Sequence, residues 1–326
     1  MDRRSVARRM AWSTGALASV AALCALAGLP PAGSSGDAPR AAPESGAILV
    51  RAVEPDSPRV DGKLLEVSPD GGVERVGDVV CKRVHAVAGG PGLCLALSKN
   101  GIDYEAIVLD RRFERTTSFP IDGVPDRARV SPDGRYGAYT SFDPKGSQGY
   151  FESSFEFSTY TRIVSLRSGR ELLRLEDLEV TRAGRPLALR GAELWGVTFA
   201  AGGRYYATLA AAGEHFLIAG RVGSDRARVV RAGVECPALS PDGERIAYKR
   251  RIGDGNRWRF HVLRLSDGHD IALAEPRSID DQPEWLGNDR IVYSDDHDVF
   301  SVPVGGGGPE RLATRATSPA ALLPRR

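Results

Sequence analysis

Ser131-Pro132-Asp133-Gly134-Arg135-Tyr136-Gly137-Ala138-Tyr139 recurs, in register, as Ser240-Pro241-Asp242-Gly243-Glu244-Arg245-Ile246-Ala247-Tyr248. Proline presets φ at the second turn position, aspartate bonds the local backbone and glycine accepts positive φ, so the tetrapeptide reads as a tight turn. The alternation of apolar and small residues that follows is that of a half-buried strand. Each copy therefore reads as strand, turn, strand. Looser copies occur at Ala200-Ala201-Gly202-Gly203-Arg204-Tyr205-Tyr206-Ala207, at Leu286-Gly287-Asn288-Asp289-Arg290-Ile291-Val292-Tyr293 and, weakest, at Ala88 to Leu95.

Working outward from each copy, a second signature follows. Ile163-Val164-Ser165-Leu166-Arg167-Ser168-Gly169 leads into an apolar stretch at Leu172, and Val262-Leu263-Arg264-Leu265-Ser266-Asp267-Gly268 into another at Ile271. Comparable pairs lie at Ala106 to Leu109, Phe216 to Ile218 and Val299 to Val304. Four antiparallel strands per unit make a propeller blade, and internal repetition at this period is the mark of such an array. With Gly90, Asp133, Gly202, Asp242 and Asn288 as markers, the spacings are 43, 69, 40 and 46 residues, and all but one suit a blade. The long interval holds the aromatic stretch Phe142 to Tyr160 and a polar span near Glu176 to Arg190, read as loops or an added hairpin inserted in the third blade, about 142–190.

The first unit has strands at Ala47 to Val53, Lys63 to Val67 and Val73 to Val76, the last two joined by Ser68-Pro69-Asp70-Gly71, and it lacks an inner strand. A closed ring pairs its two chain ends in one blade, so Thr317 to Leu323 supplies the missing strand. The expected fold is all-β: a six-bladed β-propeller of four-stranded antiparallel blades over residues 47–323. Five or seven blades stay compatible with the degenerate early copies.

The chain has 326 residues, 42% hydrophobic and 26% charged, the composition of a globular protein. Its N-terminus differs: Arg3, Arg4, Arg8 and Arg9 precede the uncharged run Ala11 to Leu29, which Pro30 and Pro31 end. A basic region followed by an apolar run reads as a Sec-type signal peptide, with a small-residue cleavage site at Ala25-Leu26-Ala27, and the run is also about long enough to remain as a membrane anchor helix. Residues 1–29 are thus a signal peptide or anchor, and residues 30–46, rich in Pro, Ala, Gly and Ser, a flexible linker. Removing residues 1–36 removes four Arg and Asp2, a net +3, and takes the formal charge from +2 to −1. The exported domain is not basic, so nucleic acid is not an expected partner and the membrane is one only through an uncleaved N-terminus.

Cys81, Cys94 and Cys236 remain, and an oxidising compartment permits one bridge. A hairpin turning near Gly90 and Pro91 sets Cys94 opposite Val87 rather than Cys81, and Cα atoms more than about 7 Å apart cannot be joined, so this reading disfavours a Cys81–Cys94 bridge.

The S-P-D-G copies and the strand ends that follow them resemble the propeller repeats of TolB and of prolyl oligopeptidase-type peptidases. The chain is also similar to a group of exported actinobacterial TolB-like translocation proteins, through Trp195-Gly196-Val197-Thr198-Phe199-Ala200, Val234-Glu235-Cys236-Pro237 and Asp280-Asp281-Gln282-Pro283-Glu284-Trp285. The resemblance implies a periplasmic or extracellular interaction role.

A peptidase of that second type needs a G-x-S-x-G nucleophile elbow, and no such pentapeptide occurs. The five histidines are scattered, and no phosphate-cradling or dinucleotide motif is present, so no metal, cofactor or catalytic residue is assigned. Asp295-Asp296-His297-Asp298 is the richest ligand cluster and reads more simply as a solvated hairpin turn. The rim where inner strands begin carries Lys82 and Arg83, Asp126 and Arg127, Trp195, Glu235, Asp281 and Gln282. Of these, Glu235, Asp281 and Gln282 with Trp195 as an apolar wall form the candidate ligand site at the channel mouth. Satisfied polar bridges between blades are the competing reading. Phe151, Phe155, Phe157 and Tyr160 form a candidate partner loop. The expected function is a monomeric, non-catalytic binding module for an envelope or extracellular protein. A lactonase- or lyase-type enzyme using the channel-mouth carboxylates is the alternative.

Overall fold

In the computed structural model, which describes residues 46–57, 59–69, 71–142, 158–253 and 255–322, the two S-P-D-G copies fold alike. Ser131 Oγ donates to Asp133 Oδ1 (2.6 Å) and accepts from the Tyr136 N–H (2.9 Å), while the Gly134 N–H closes the turn on Ser131 O (2.8 Å). Ser240 repeats this with Asp242 (2.5 Å), Arg245 (2.9 Å) and Gly243 (2.8 Å). Gly134 and Gly243 take φ of 69° and 77°, which only glycine adopts without strain. Each turn joins the inner strand of a blade to the next strand outward.

Six sheets result. The inner strands are Arg83–Ala86, Val124–Val130, Glu193–Phe199, Glu235–Leu239, Glu284–Leu286 and Ala316–Ala321. The first blade is ordered Ala316–Ala321, Ile48–Ala52, Lys63–Val67, Val73–Val80, so the C-terminal segment closes the ring as its innermost strand. Ile48 pairs Ala321 and Ala52 pairs Ala316, with a bulge between Leu49 and Arg51. The six-bladed count and the N- to C-terminal closure read from the sequence both hold.

The core is divided in the same way. Alternate residues on each strand bury toward opposite neighbours, and each buried cluster lies between two adjacent blades. Leu49, Leu64, Val84, Ile107 and Leu109 fill the space between the first and second blades, and Ile48, Val50, Val67, Val299 and Ala316 fill that between the sixth and first. Trp285 is 1% exposed among Ala238, Phe260 and Tyr293, its Nε1 donating to Ala238 O at 2.8 Å.

Two expectations change. The polar span after Leu175 does not extend the third blade. Glu179–Arg182 and Arg185–Pro186 add to the outer edge of the fourth, making a six-stranded sheet. Glu179–Arg182 runs parallel to Arg226–Ala232, with Glu179 opposite Arg226 and Thr181 opposite Arg228. The cause is burial: Leu175, Leu178 and Val180 sink into the cluster shared by the third and fourth blades, which pins the segment there.

Cys81 and Cys94 do form a disulfide, with Cα atoms 5.6 Å apart. The turn is centred on Gly89 rather than between Gly90 and Pro91, so Cys94 pairs with Val84, and Cys81 sits just before that strand rather than on it. The connection from the first blade carries it back over Cys94. Cys236 is free and buried.

Residues 1–45, which hold the expected signal or anchor and nearly all of the linker, and Phe151, Phe155 and Phe157 lie outside the described residues. Among the described residues no helix is long and apolar enough to cross a membrane.

Candidate functional site

The inner strands face the propeller axis, and residues two apart on one strand point the same way. That places Arg83 with His85 and Arg127 with Arg129 around a cavity of about 30 Å³ that Asp126, Asp281, Gln282, Glu284, Ser318 and Pro319 complete. A volume of this size holds water and excludes an organic substrate.

The groups around it are paired with one another. Glu284 forms an ion pair with Arg129, and its Oε2 also lies 3.1 Å from His85 Nε2. The Val130 N–H donates to His85 Nδ1 (3.1 Å), which leaves the imidazole proton on Nε2, facing Glu284. Burial, reinforced by the Arg129 charge, pushes the His85 pKa well below the usual histidine range, so the ring is neutral at pH 7. Burial also lowers Arg129, to about 10, against the opposing pull of Asp281, and it stays cationic at pH 7. Its Nη2 donates to Pro283 O at 3.1 Å.

Arg127 donates to Asp126 Oδ1 at 2.6 Å. Burial opposes its charge, yet Asp126, with Asp281 and Asp280, outweighs that penalty and raises its pKa. Arg83 stands 3.8 Å from Asp126 and 4.0 Å from Asp281, and Lys249, 2% exposed, pairs with Asp280. Four cations thus meet four carboxylates across separate blades. Such a network is costly to break and nearly neutral in net charge.

The sequence-predicted site residues divide into two groups. Asp281 and Gln282 belong to the axis. Asp281 Oδ2 accepts the Ser294 N–H and Oδ1 the Gln282 N–H, both at 2.9 Å. Gln282 Nε2 donates to Val197 O (3.2 Å) and Pro237 O (3.1 Å), tying the sixth blade to the fourth and fifth.

Trp195 and Glu235 meet around His215 instead. Glu235, 4% exposed, accepts from Trp258 Nε1 (3.1 Å) and Arg251 Nε (3.3 Å), with His215 Nδ1 at 3.7 Å. Trp195 packs edge-on against His215, ring centroids 5.7 Å apart. Burial lowers the His215 pKa, with Glu235 opposing it. Tyr160 lies on the strand Thr159–Ser165 with the Arg162 guanidinium 5.3 Å from its ring centre.

His85, Arg129, Glu284, Lys249 and Asp280 are members of the axial network that the rim search passed over. The available signal was polar residues at i and i+2 on the inner strands, as in Arg83/His85 and Arg127/Arg129, where a buried strand ordinarily carries apolar ones. Asp295 and Asp298 flank a two-residue turn in which Asp296 and His297 take φ of 46° and 66°, the geometry of a tight hairpin. Among the described residues no three metal-ligating side chains converge.

The fold and its closure define the chain as a six-bladed β-propeller whose axis is filled by a charge-paired network. It is TolB-like. TolB from Acinetobacter baumannii superposes with a TM-score of 0.55 at 16% identity over 85% of this chain, which spans 66% of that chain's length. The propeller solved in a nidogen/laminin complex superposes with a TM-score of 0.52 at 11% identity, over 85% of this chain and 98% of that one. No family model and no curated protein sequence matches the chain.

Proposed function

We propose that the protein is an exported, non-catalytic propeller that serves as a protein-interaction module outside the cytoplasmic membrane. The observation that carries this reading is the filled axis. Asp126, Asp281 and Glu284 at the axis are spent on guanidinium groups and backbone N–H groups around a space of about 30 Å³, and Glu235, off the axis, is spent on Arg251 and the Trp258 indole N–H. Recognition then moves to the outer faces of the blades, as suits a scaffold whose large surface is its asset.

Two observations support export. The Cys81–Cys94 disulfide is a bond that persists in oxidising compartments, and the N-terminal sequence has the charge pattern of an export signal. The propeller of similar fold solved within a nidogen/laminin complex is a precedent for this architecture in a protein complex.

Cross-linking in intact cells, followed by capture of the full chain, tests the reading. A specific extracytoplasmic partner and a mature N-terminus beginning between residues 25 and 37 are expected. Cytoplasmic recovery of the uncleaved chain would count against it, as would loss of a measured activity in Glu235→Gln or Asp281→Asn. The aromatic segment Phe151, Phe155, Phe157 with Tyr160 is retained as a proposed contact, tested by deleting residues 151–157.

A further inference from the structure

We propose that a basic groove on the outer sheet of the fourth blade binds an extended acidic peptide segment of the partner. The groove encloses about 540 Å³ and is lined by Arg204, Arg221, Arg226 and Arg228, with Glu179 as the one carboxylate among its lining residues. Arg204 stands directly opposite Arg221 in the antiparallel pair, and like charges so placed destabilise a sheet. Fold stability therefore does not account for them, and an anionic occupant does.

The guanidinium groups are available. Arg204 Nε and Arg221 Nη1 donate to the carbonyls of Ala201 (3.5 Å) and Gly202 (2.5 Å), which neutralises neither. Arg226 is 3.7 Å from Glu179, and among the described residues Arg228 has no ion-pair partner. All four are exposed, and the paired Tyr206 and Ala219 lie on the floor between them.

The spacing selects a peptide. Arg226 and Arg228 are two apart on one strand, about 7 Å, which is the side-chain repeat of an extended chain. The four cations spread over three strands instead of converging, so alternate carboxylates meet them better than one compact phosphate does. Addition of the peptide as an edge strand is disfavoured, because the outermost strand ends in Pro186, which has no N–H to offer. The peptide lies across the face.

This inference rests on the interaction reading above, and the two are tested apart. The direct test is fluorescence anisotropy of the purified full chain with a labelled peptide of about ten residues alternating Glu and Thr, against the Gln/Thr peptide and an oligothymidylate of equal length. Salt-sensitive binding of the acidic peptide is expected, weakened more than tenfold in Arg221→Glu/Arg228→Glu and unchanged in Arg111→Glu/Arg112→Glu, an exposed pair on the second blade. If charge reversal disturbs folding, Arg221→Gln/Arg228→Gln is used, with at least a threefold loss expected. Absent binding, equal affinity for the Gln/Thr peptide, equal loss in the control pair, or tighter binding of the oligonucleotide would overturn the proposal. The interaction reading has its own outcome: a partner cross-linked equally by wild type and Arg221→Glu/Arg228→Glu overturns the groove and leaves that reading standing.

Discussion

Replacing Cys81 and Cys94 by alanine removes a covalent link between the entry to the second blade and its second strand. The cysteines are 13 residues apart, and closing a loop of about this length removes roughly 3 kcal/mol of denatured-state entropy in the chain-entropy treatment. Both side chains are buried between the first and second blades, so loss of their packing adds about 1 kcal/mol. Unfolding entropy of about 2.1 cal/mol/K per residue, over roughly 280 residues, turns 3–4 kcal/mol into a fall of about 5–7 °C in Tm. Calorimetric scans of the oxidised chain, the chain held in reductant and the double-alanine variant measure this. The oxidised form should melt highest, the reduced chain about 5 °C lower and the double-alanine variant about 2 °C below that. Alkylation after unfolding without reductant should modify Cys236 and spare Cys81 and Cys94. A reductant-induced shift below about 1 °C, or modified Cys81 and Cys94 in protein taken from the cell surface, would refute both the stabilisation and its use as support for export.

Other outcomes follow from the axis and the ring. Arg129→Met strips Glu284 of its guanidinium and should cost about 3–5 kcal/mol in chemical denaturation, with more than half recovered in Arg129→Met/Glu284→Gln. The pKa of His85 is depressed in the fold, so the unfolded chain binds more protons below about pH 6.5 and stability is lost as pH falls from there, by up to about 1.4 kcal/mol per unit. His85→Asn should flatten that slope in denaturation midpoints taken at stepped pH, leaving the smaller contributions of His215 and His261, whose pKa values burial also lowers. Gly123→Ala places a Cβ 2.2 Å from Phe142 O at φ +75°, and a loss of about 2–4 kcal/mol is expected in the same assay. Ser318→Ala removes both hydrogen bonds that join the closing strand to Val84 (3.0 and 2.9 Å), and the orphaned Val84 N–H should cost about 1–3 kcal/mol.

Much of the fold was legible because blade construction is local. Ser131 to Tyr136 and Ser240 to Arg245 carry their own turn chemistry, and alternation along each strand states which side faces a neighbouring blade. Even the long-range closure by Ala316–Ala321 could be read, since the first unit lacks one strand and a ring leaves that strand one place to go. The rim search picked residues on or beside the inner strands. It could not sort them, because Trp195 with Glu235 and Asp281 with Gln282 differ only in which partners the neighbouring blades bring.

Those partners are remote in the chain. His85 and Glu284 are 199 residues apart, and Arg129 and Pro283 are 154 apart, so no spacing or periodicity links them. The Cys81–Cys94 bridge depended on the path of a connection between blades, which composition does not encode. The docking of Glu179–Arg182 on the fourth blade depended on which neighbour could bury Val180. Sequence alone therefore determined the repeating unit and its closure, where each choice is made within a strand and a turn, and the structure settled the count at six blades. Tertiary structure decided the axial ion network, which needs separate blades brought within a few ångströms, and the disulfide and basic groove, which depend on the path of a connection and on the register of neighbouring strands.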